Sequence, residues 1–193
     1  FKENIDNNSK LIIEDKTLLL ILDMQEKLIN NIKGNQLLIF NIKKLIDTCN
    51  LLNVHIAITE QNPLKLGKTL ESIIENKKYP KFEKMEFSCG KNKSFIDYVR
   101  KYNFRNIIVC GIESHICILQ TSIELLEKGL NILIPRDAIG SRNELDNDTA
   151  FLRLMLSGAV PSTTESIICE LCKTSNRKEF REISKILKNS FSN

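Results

Sequence analysis

The chain has 193 residues, of which 42% are hydrophobic, a length that suits one sizeable hydrophobic core rather than two domains. Its 28 basic residues are interspersed with 24 acidic ones, for a net charge of +4, and this balance argues against the clustered Lys and Arg of a nucleic-acid-binding face. No apolar run approaches the roughly 20 residues of a membrane-spanning helix.

The first predicted elements form a β-α-β unit. Residues 17–23 are a continuous apolar run that ends in a carboxylate, which is typical of a strand buried on both faces of a parallel sheet. Residues 36–52 have apolar side chains at helical spacing, and residues 54–59 predict the next strand.

The middle of the chain continues this alternation. We predict a helix over residues 69–75, a short extended piece over 81–84, and a helix capped by Ser94 with Asp97. A strand over 106–110 follows. Gly111 is predicted to open a turn, and the helix after it ends at Gly129.

In the C-terminal part of the chain, the sequence predicts a strand over 130–134, a helix over 146–157, and a short strand from Val160. That strand runs into a capping box between Ser162 and Glu165, and a final helix covers 180–187. The fold class expected is α/β, with a Rossmann-like doubly wound sheet of about six mainly parallel strands flanked by helices. We assign residues 1–193 to a single domain with a core at about 17–187.

Six cysteines are too few for a disulfide-stapled scaffold of this length, so we expect free thiols in a reducing compartment. They are Cys49, Cys89, Cys110, Cys117, Cys169 and Cys172. The last two form a C-x-x-C within a helical pattern. We expect them to pack in the core rather than bind metal or undergo redox chemistry.

Three residues of catalytic type are predicted to meet at one edge of the sheet. Asp23 ends the first strand, Lys84 ends the third extended piece, and Cys117 lies in the turn after the fourth strand. Ligands of parallel sheets collect beyond the carboxyl ends of the strands, so these three side chains can share one cleft.

Their chemistry suits nucleophilic catalysis. At a helix start beside a lysine, the pKa of the Cys117 thiol is expected to fall below its usual ~8.5, which would make it a thiolate nucleophile. Asp23 would move the proton, with Lys84 orienting it, and backbone N–H groups of the same turn would hold the oxyanion. Taken singly, such residues are also common as a helix cap, a solvated lysine and a core cysteine.

Two other arrangements are less favoured. His115 is two residues from Cys117, and residues at this spacing point about 200° apart on a helix, which argues against a Cys–His dyad. His55 lies inside the second strand and is expected to be a structural histidine. Residues 60–67 contain no histidine, so we predict no catalytic metal.

The chain resembles the isochorismatase-like cysteine hydrolase family over about residues 17–187, and most closely its isochorismatase domain-containing branch. The resemblance rests on the order and spacing of several short motifs. They are Leu22-Asp-Met-Gln25, Thr59-Glu-Gln61 with Pro63 and Leu66-Gly67, Phe82-Glu-Lys84 with Phe87-Ser88, Cys110-Gly-Ile-Glu-Ser-His-Ile-Cys117, Arg136-Asp-Ala138, Ser141-Arg142, Ser157-Gly-Ala159 and Thr163-Thr-Glu-Ser166.

This resemblance implies a catalytic triad of Asp23, Lys84 and Cys117. It also implies a cis peptide bond between Ile112 and Glu113, with N–H groups of Glu113 or its neighbours and of Cys117 forming the oxyanion hole. From the matched motifs we expect Gln25, Phe87 and Ile116 to contact the substrate. The resemblance further implies a homo-oligomer.

The sequence therefore predicts an enzyme without a cofactor that acts on a small-molecule substrate, with no nucleic-acid or membrane partner. The leading hypothesis is hydrolysis of an amide or carbamoyl C–N bond through a thioester on Cys117. Alternatives are vinyl-ether hydrolysis of an isochorismate-like compound with Asp23 as acid, and a catalytically silent binding or scaffold protein; an oxidisable Cys117 is a redox variant of the last. A cytoplasmic location is expected, and an organelle stays open because the sequence begins at Phe1.

Overall fold

The computed structural model describes residues 11–12 and 14–191, and a parallel sheet lies at its centre. The strands are β1 Thr17–Leu22, β2 His55–Gln61, β3 Lys81–Lys84, β4 Asn106–Ile112, β5 Asn131–Pro135, β6 Ile139–Gly140 and β7 Val160–Ser162. The pairings between these strands are parallel. The predicted doubly wound α/β fold is confirmed. The additional strand β6 has two residues, too few for a sequence pattern to reveal.

The strand order places the reversal point of the fold between β1 and β4. The order across the sheet is β3-β2-β1-β4-β5-β7. The chain moves outward from β1 through β2 to β3, and it then returns to add β4 on the other side of β1. Ligands of parallel sheets bind just beyond the carboxyl ends of the strands at such a point. Asp23 follows β1 and Cys117 comes soon after β4, so both lie at this edge.

Helices cover both faces of the sheet. They are α1 Glu26–Ile29, α2 Asn35–Leu51, α3 Pro63–Leu66, α4 Glu71–Ile74, α5 Lys93–Lys101, α6 Leu119–Leu126, α7 Glu144–Leu156, α8 Thr164–Cys172 and α9 Phe180–Lys188. The single-turn helices α1 and α3 were not predicted, because one turn is too short to show helical spacing. Within the described part of the chain, no helix has both the length and the apolar character needed to cross a membrane.

The side chains of β1 alternate between two hydrophobic cores. Leu19 and Ile21 pack on the face covered by α2, α8 and α9, whereas Leu18, Leu20 and Leu22 pack on the face covered by α5, α6 and α7. All five are fully buried. A strand with both faces buried needs an unbroken apolar run, which is why the sequence of β1 shows no alternation.

Two predicted helix caps are each displaced. Helix α5 is capped by Asn92, whose side chain accepts from the N–H of Phe95, rather than by Ser94. Helix α8 is capped by Thr163, whose hydroxyl accepts from the N–H of Ser166, so the predicted Ser162–Glu165 box is wrong. In both cases several capping residues lie in a row, and only the backbone conformation decides which side chain reaches an unpaired N–H.

Gly111 does not open a turn, as the sequence suggested, but lies within β4 opposite Leu22. Its φ is +113°, and a Cβ atom there would lie 2.1 Å from the carbonyl oxygen of Leu22. No side chain fits at that distance. Glycine is therefore required for the close approach of β4 to β1, directly beside the carboxyl end of β1 that leads into Asp23.

The cysteines are free thiols, as predicted. Cys172 is buried with the apolar face of α8, but Cys169 is exposed. The core-packing prediction is thus wrong for Cys169, because the buried face of α8 is formed by residues 164, 167, 168, 171 and 172 and residue 169 projects to one side of it.

Candidate active site

The three predicted catalytic residues lie together in the structure. Asp23 follows β1 in a left-handed backbone conformation with φ +52°, Lys84 is the last residue of β3, and Cys117 lies in a π-helical turn, Ser114–Ile118, that leads into α6. The Nζ atom of Lys84 lies 2.6 Å from Asp23 Oδ2 and 3.6 Å from Cys117 Sγ. One ammonium group therefore bridges the carboxylate and the thiol.

The Lys84 ammonium has a partner for each of its three N–H donors. Besides Asp23 and Cys117, it donates to Gln61 Oε1 at 2.9 Å. The side chains of Lys84 and Asp23 are 0% and 1% exposed. A buried charge is tolerated when it is paired and fully hydrogen-bonded, so this arrangement holds Lys84 in one orientation.

Asp23 is positioned by a residue that we did not predict. The Thr59 hydroxyl donates to Asp23 Oδ1 at 2.6 Å, and the Asp23 N–H donates to the Thr59 carbonyl. Thr59 pairs with Leu22 across β1 and β2. The sequence signal was a run of three polar residues, 59–61, at the end of an otherwise apolar strand. Because these side chains are buried, each needs a specific partner.

We expect Thr59→Val to lower kcat/KM by about 10- to 100-fold, because it removes a charge-assisted hydrogen bond of about 1.5–3 kcal/mol from Asp23. The matched control is Thr48→Val. Thr48 is also buried, but its hydroxyl bonds to Lys44 O on α2, away from the catalytic edge. Equal activity in the two variants would show that the Thr59 hydroxyl does not position Asp23.

The environment of Cys117 favours the neutral thiol. Burial, together with the charge and hydrogen bonding of Asp23, raises the pKa of Cys117 well above its usual range, and the neighbouring Lys84 opposes this only in part. The predicted lowering of this pKa by a helix start is thus wrong, since burial beside a carboxylate outweighs the effect of the turn.

A raised pKa has a direct spectroscopic consequence. The Cys117 thiol stays protonated at neutral pH, and thiolate forms only as the pH rises above the usual cysteine range of about 8.5. The difference in ultraviolet thiolate absorbance between wild type and Cys117→Ala should therefore be flat below that pH. A titration step for Cys117 in the acid range would contradict this prediction.

The turn that carries Cys117 is fixed by backbone and side-chain contacts of Glu113. The peptide bond between Ile112 and Glu113 is cis. The Glu113 carbonyl accepts from the N–H groups of both Ile116 and Ile118. The Glu113 carboxylate is held by Arg142, whose Nε donates to it at 3.0 Å.

The three side chains that were predicted to contact the substrate differ in burial and in their hydrogen bonds. Gln25 is fully buried, and its amide bonds the backbone of Gln61 and the carbonyl of Gly67. It therefore fixes the loop after β2, and the structure gives no support for a substrate contact. Phe87 is half exposed, and Ile116 is partly buried in the nucleophile turn. For these two, substrate contact stays a prediction.

The histidines do not join the catalytic cluster. His115 Nδ1 lies 3.0 Å from the Ser141 hydroxyl and its Nε2 lies 3.9 Å from Asp146, so its ring is engaged elsewhere. His55 packs against Tyr102 and Phe104. Across residues 11–12 and 14–191, no group of three or more His, Cys, Asp or Glu is arranged to hold a metal ion. Metal-free catalysis stays a prediction.

Known proteins resemble this chain over nearly its full length. Residues 17–166 match the family model described as the isochorismatase domain. Isochorismatase family protein 1B of Dictyostelium discoideum is 35% identical over 182 residues, or 92% of this chain and 88% of that protein. Human isochorismatase domain-containing protein 2 is 30% identical over 177 residues, or 92% and 85%. The solved structure of MAR1 ribonuclease from Caenorhabditis elegans has a TM-score of 0.89 and 34% identity, with 95% of each chain covered.

Proposed function

Because this chain belongs to the isochorismatase family, we propose that it is a metal-independent cysteine hydrolase that cleaves a C–N bond of a small amide or carbamoyl compound. The observation that carries the proposal is the Lys84 ammonium, which lies 2.6 Å from the Asp23 carboxylate and 3.6 Å from the Cys117 sulfur. A nucleophile, a proton acceptor and a group that orients both are the requirements of covalent acyl transfer.

In the first half of the reaction, Asp23 accepts the thiol proton of Cys117 while Sγ attacks the carbonyl carbon. The electron pair of the C=O bond moves to oxygen, and backbone N–H groups of the turn at Glu113 and Cys117 donate to the resulting oxyanion. When this intermediate collapses, the C–N bond breaks and the leaving nitrogen takes the proton from Asp23. Ammonia or an amine departs, and a thioester remains on Cys117.

The second half returns the enzyme to its starting state. Asp23 accepts a proton from a water molecule, whose oxygen attacks the thioester carbon. Collapse of the second tetrahedral intermediate breaks the C–S bond, and the sulfur regains a proton from Asp23. The carboxylic or carbamic acid leaves. Throughout this cycle Lys84 holds the carboxylate and the sulfur in contact.

Two features favour acyl chemistry over cleavage of a phosphodiester, although the C. elegans relative is called a ribonuclease. Cleavage of a phosphodiester needs cationic groups that neutralise the charge on the phosphoryl oxygens in the transition state. The three donors of Lys84 are already directed to Asp23, Gln61 and Cys117. A buried thiol beside a carboxylate is suited instead to a neutral carbonyl, which develops negative charge only during attack.

The test is a panel of small neutral amides and carbamoyl compounds, with isochorismate as the vinyl-ether comparison. Turnover should release ammonia or an amine. Intact mass spectrometry during turnover should detect an acyl adduct that peptide mapping assigns to Cys117. Hydrolysis that survives loss of Cys117 but not of Asp23 would favour the vinyl-ether reaction, and a panel without turnover or adduct would favour the silent scaffold.

A further inference from the structure

The side-chain amide of Gln61 is aimed at the Lys84 ammonium. Gln61 is buried at the end of β2 and lies beside Lys84, the last residue of β3, in the register of the sheet. Its side-chain oxygen accepts from Lys84 Nζ at 2.9 Å, and its side-chain nitrogen donates to the Met85 carbonyl at 2.6 Å. An amide has its acceptor and its donor on opposite sides, so the bond to Met85 directs the oxygen of Gln61 at the ammonium.

The backbone of Gln61 is held by Gln25. The side chain of Gln25 accepts from the Gln61 N–H at 2.8 Å and donates to the Gln61 carbonyl at 3.0 Å. The Gln25 N–H in turn donates to the Asp23 carbonyl at 2.7 Å, so Gln25 links Gln61 to Asp23. Lys84 closes the ring, since its ammonium bonds to both Gln61 and Asp23. A buried ring of satisfied hydrogen bonds holds its members in one arrangement.

The three groups that accept from Lys84 change differently during the proposed reaction. Asp23 takes up the thiol proton, which neutralises its carboxylate and weakens its attraction for the ammonium. The Cys117 sulfur becomes bonded to the acyl carbon. The amide oxygen of Gln61 neither gains a proton nor forms a covalent bond, so its hydrogen bond to Lys84 at 2.9 Å has the same strength at each stage. Of the three groups, Gln61 is thus the one that the chemistry leaves unchanged.

We propose that Gln61 is a positioning residue, which holds the Lys84 ammonium beside Cys117 Sγ while Asp23 carries the thiol proton. This inference rests on the proposed function, because it takes Asp23 as the acceptor of that proton. Gln61 acts through Lys84 rather than on the substrate. Its loss should therefore lower the rate of the covalent step and leave the binding of substrate nearly unchanged.

The first experiment compares two variants of Gln61 by steady-state kinetics on the best substrate of the amide panel. Gln61→Met removes the acceptor and should lower kcat by about 10- to 100-fold, the effect of losing one hydrogen bond to a charged group, with KM within about twofold of wild type. Gln61→Glu keeps an acceptor for Lys84 but loses the donor to Met85. Its kcat should therefore be several times higher than that of Gln61→Met.

The matched control is Asn41→Leu. Asn41 is another buried amide, and its nitrogen donates to the Asp137 carbonyl at 2.8 Å, which ties α2 to the segment after β5. This variant loses a bond of the same kind and should keep the kcat of wild type. Far-ultraviolet circular dichroism checks that each variant is folded. Wild-type kcat in Gln61→Met, or equal losses in both Gln61 variants, would overturn the proposal, since equal losses assign the effect to the bond with Met85.

The second experiment needs no substrate. With iodoacetamide, Cys117 Sγ bonds to the methylene carbon, iodide leaves, and the thiol proton passes to Asp23 and then to solvent. Peptide mapping by mass spectrometry follows the alkylation of Cys117 over time at constant pH. Gln61→Met should slow this alkylation by about tenfold. Gln61→Glu should react faster than Gln61→Met, and Asn41→Leu should match wild type.

The alkylation rates separate this inference from the proposed hydrolysis. Equal rates in wild type and Gln61→Met would overturn the positioning role of Gln61, whether or not any amide is hydrolysed. Slower alkylation of Gln61→Met, in a protein that hydrolyses no amide or carbamoyl compound, would support the positioning role and contradict only the proposed substrate class.

Discussion

Cys117→Ala is expected to lower kcat for the amide substrate by on the order of 10⁴-fold or more, since removal of a nucleophile leaves only binding and oxyanion contacts to act. The loss should come without a comparable change in KM, because the sulfur is 3.6 Å from Lys84 in a buried cluster and contributes little binding surface. Steady-state kinetics on the best substrate of the amide panel measure the effect.

The control for this prediction is Cys169→Ala. Cys169 is exposed on α8, and its removal should leave kcat within experimental scatter of wild type. Cys117→Ser keeps the geometry but offers a poorer nucleophile, and should lose nearly as much activity as Cys117→Ala. If Cys117→Ala retained more than a tenth of wild-type kcat, the thioester route would be wrong, whatever the fate of Asp23.

Lys84→Met is expected to destabilise the fold by about 3–5 kcal/mol, because it leaves the Asp23 carboxylate buried without its cation. The side chains of this pair are almost completely buried, and their atoms lie 2.6 Å apart. Gln61 Oε1 would also lose its donor. Urea denaturation followed by circular dichroism measures the free energy of unfolding.

A double variant separates the destabilisation caused by an unpaired Asp23 carboxylate from general damage to the packing of the core. Asp23→Asn with Lys84→Met removes both charges, and we expect it to recover most of the lost free energy of unfolding, as replacement of whole buried ion pairs usually does. A control at Lys93, whose ion pair with Asp97 is exposed on both sides, should cost about 1 kcal/mol or less on mutation to Met. A double variant as unstable as Lys84→Met would mean that the methionine itself disrupts packing.

The order of strands and helices was readable from the sequence because burial imposes simple patterns. The unbroken apolar run of β1 predicts a strand covered on both faces, and the 17-residue helix α2 shows its spacing over several turns. Elements of one turn or two residues, such as α3 and β6, left no pattern. The motif order was specific enough for the family assignment, which residues 17–166 confirm.

The grouping of Asp23, Lys84 and Cys117 into one cluster followed from the topology, since each comes at a strand end or soon after it. The contacts within the cluster did not. Thr59 and Gln61 lie on a neighbouring strand, and their bonds to Asp23 and Lys84 depend on the register between β1, β2 and β3. Gln25, expected to contact substrate, proved to hold the loop after β2.

What the sequence determined by itself was the fold class, the family and the residues that reach the carboxyl edge of the sheet, because periodicity and strand ends are local properties. Only the tertiary structure decided the direction in which the pKa of Cys117 shifts, which is upward because burial and Asp23 outweigh Lys84. It also decided that Gly111 must lack a side chain and that the leucines of α7 face solvent. Burial, distance between charges and backbone clearance arise from residues far apart in the chain, so no local pattern contains them.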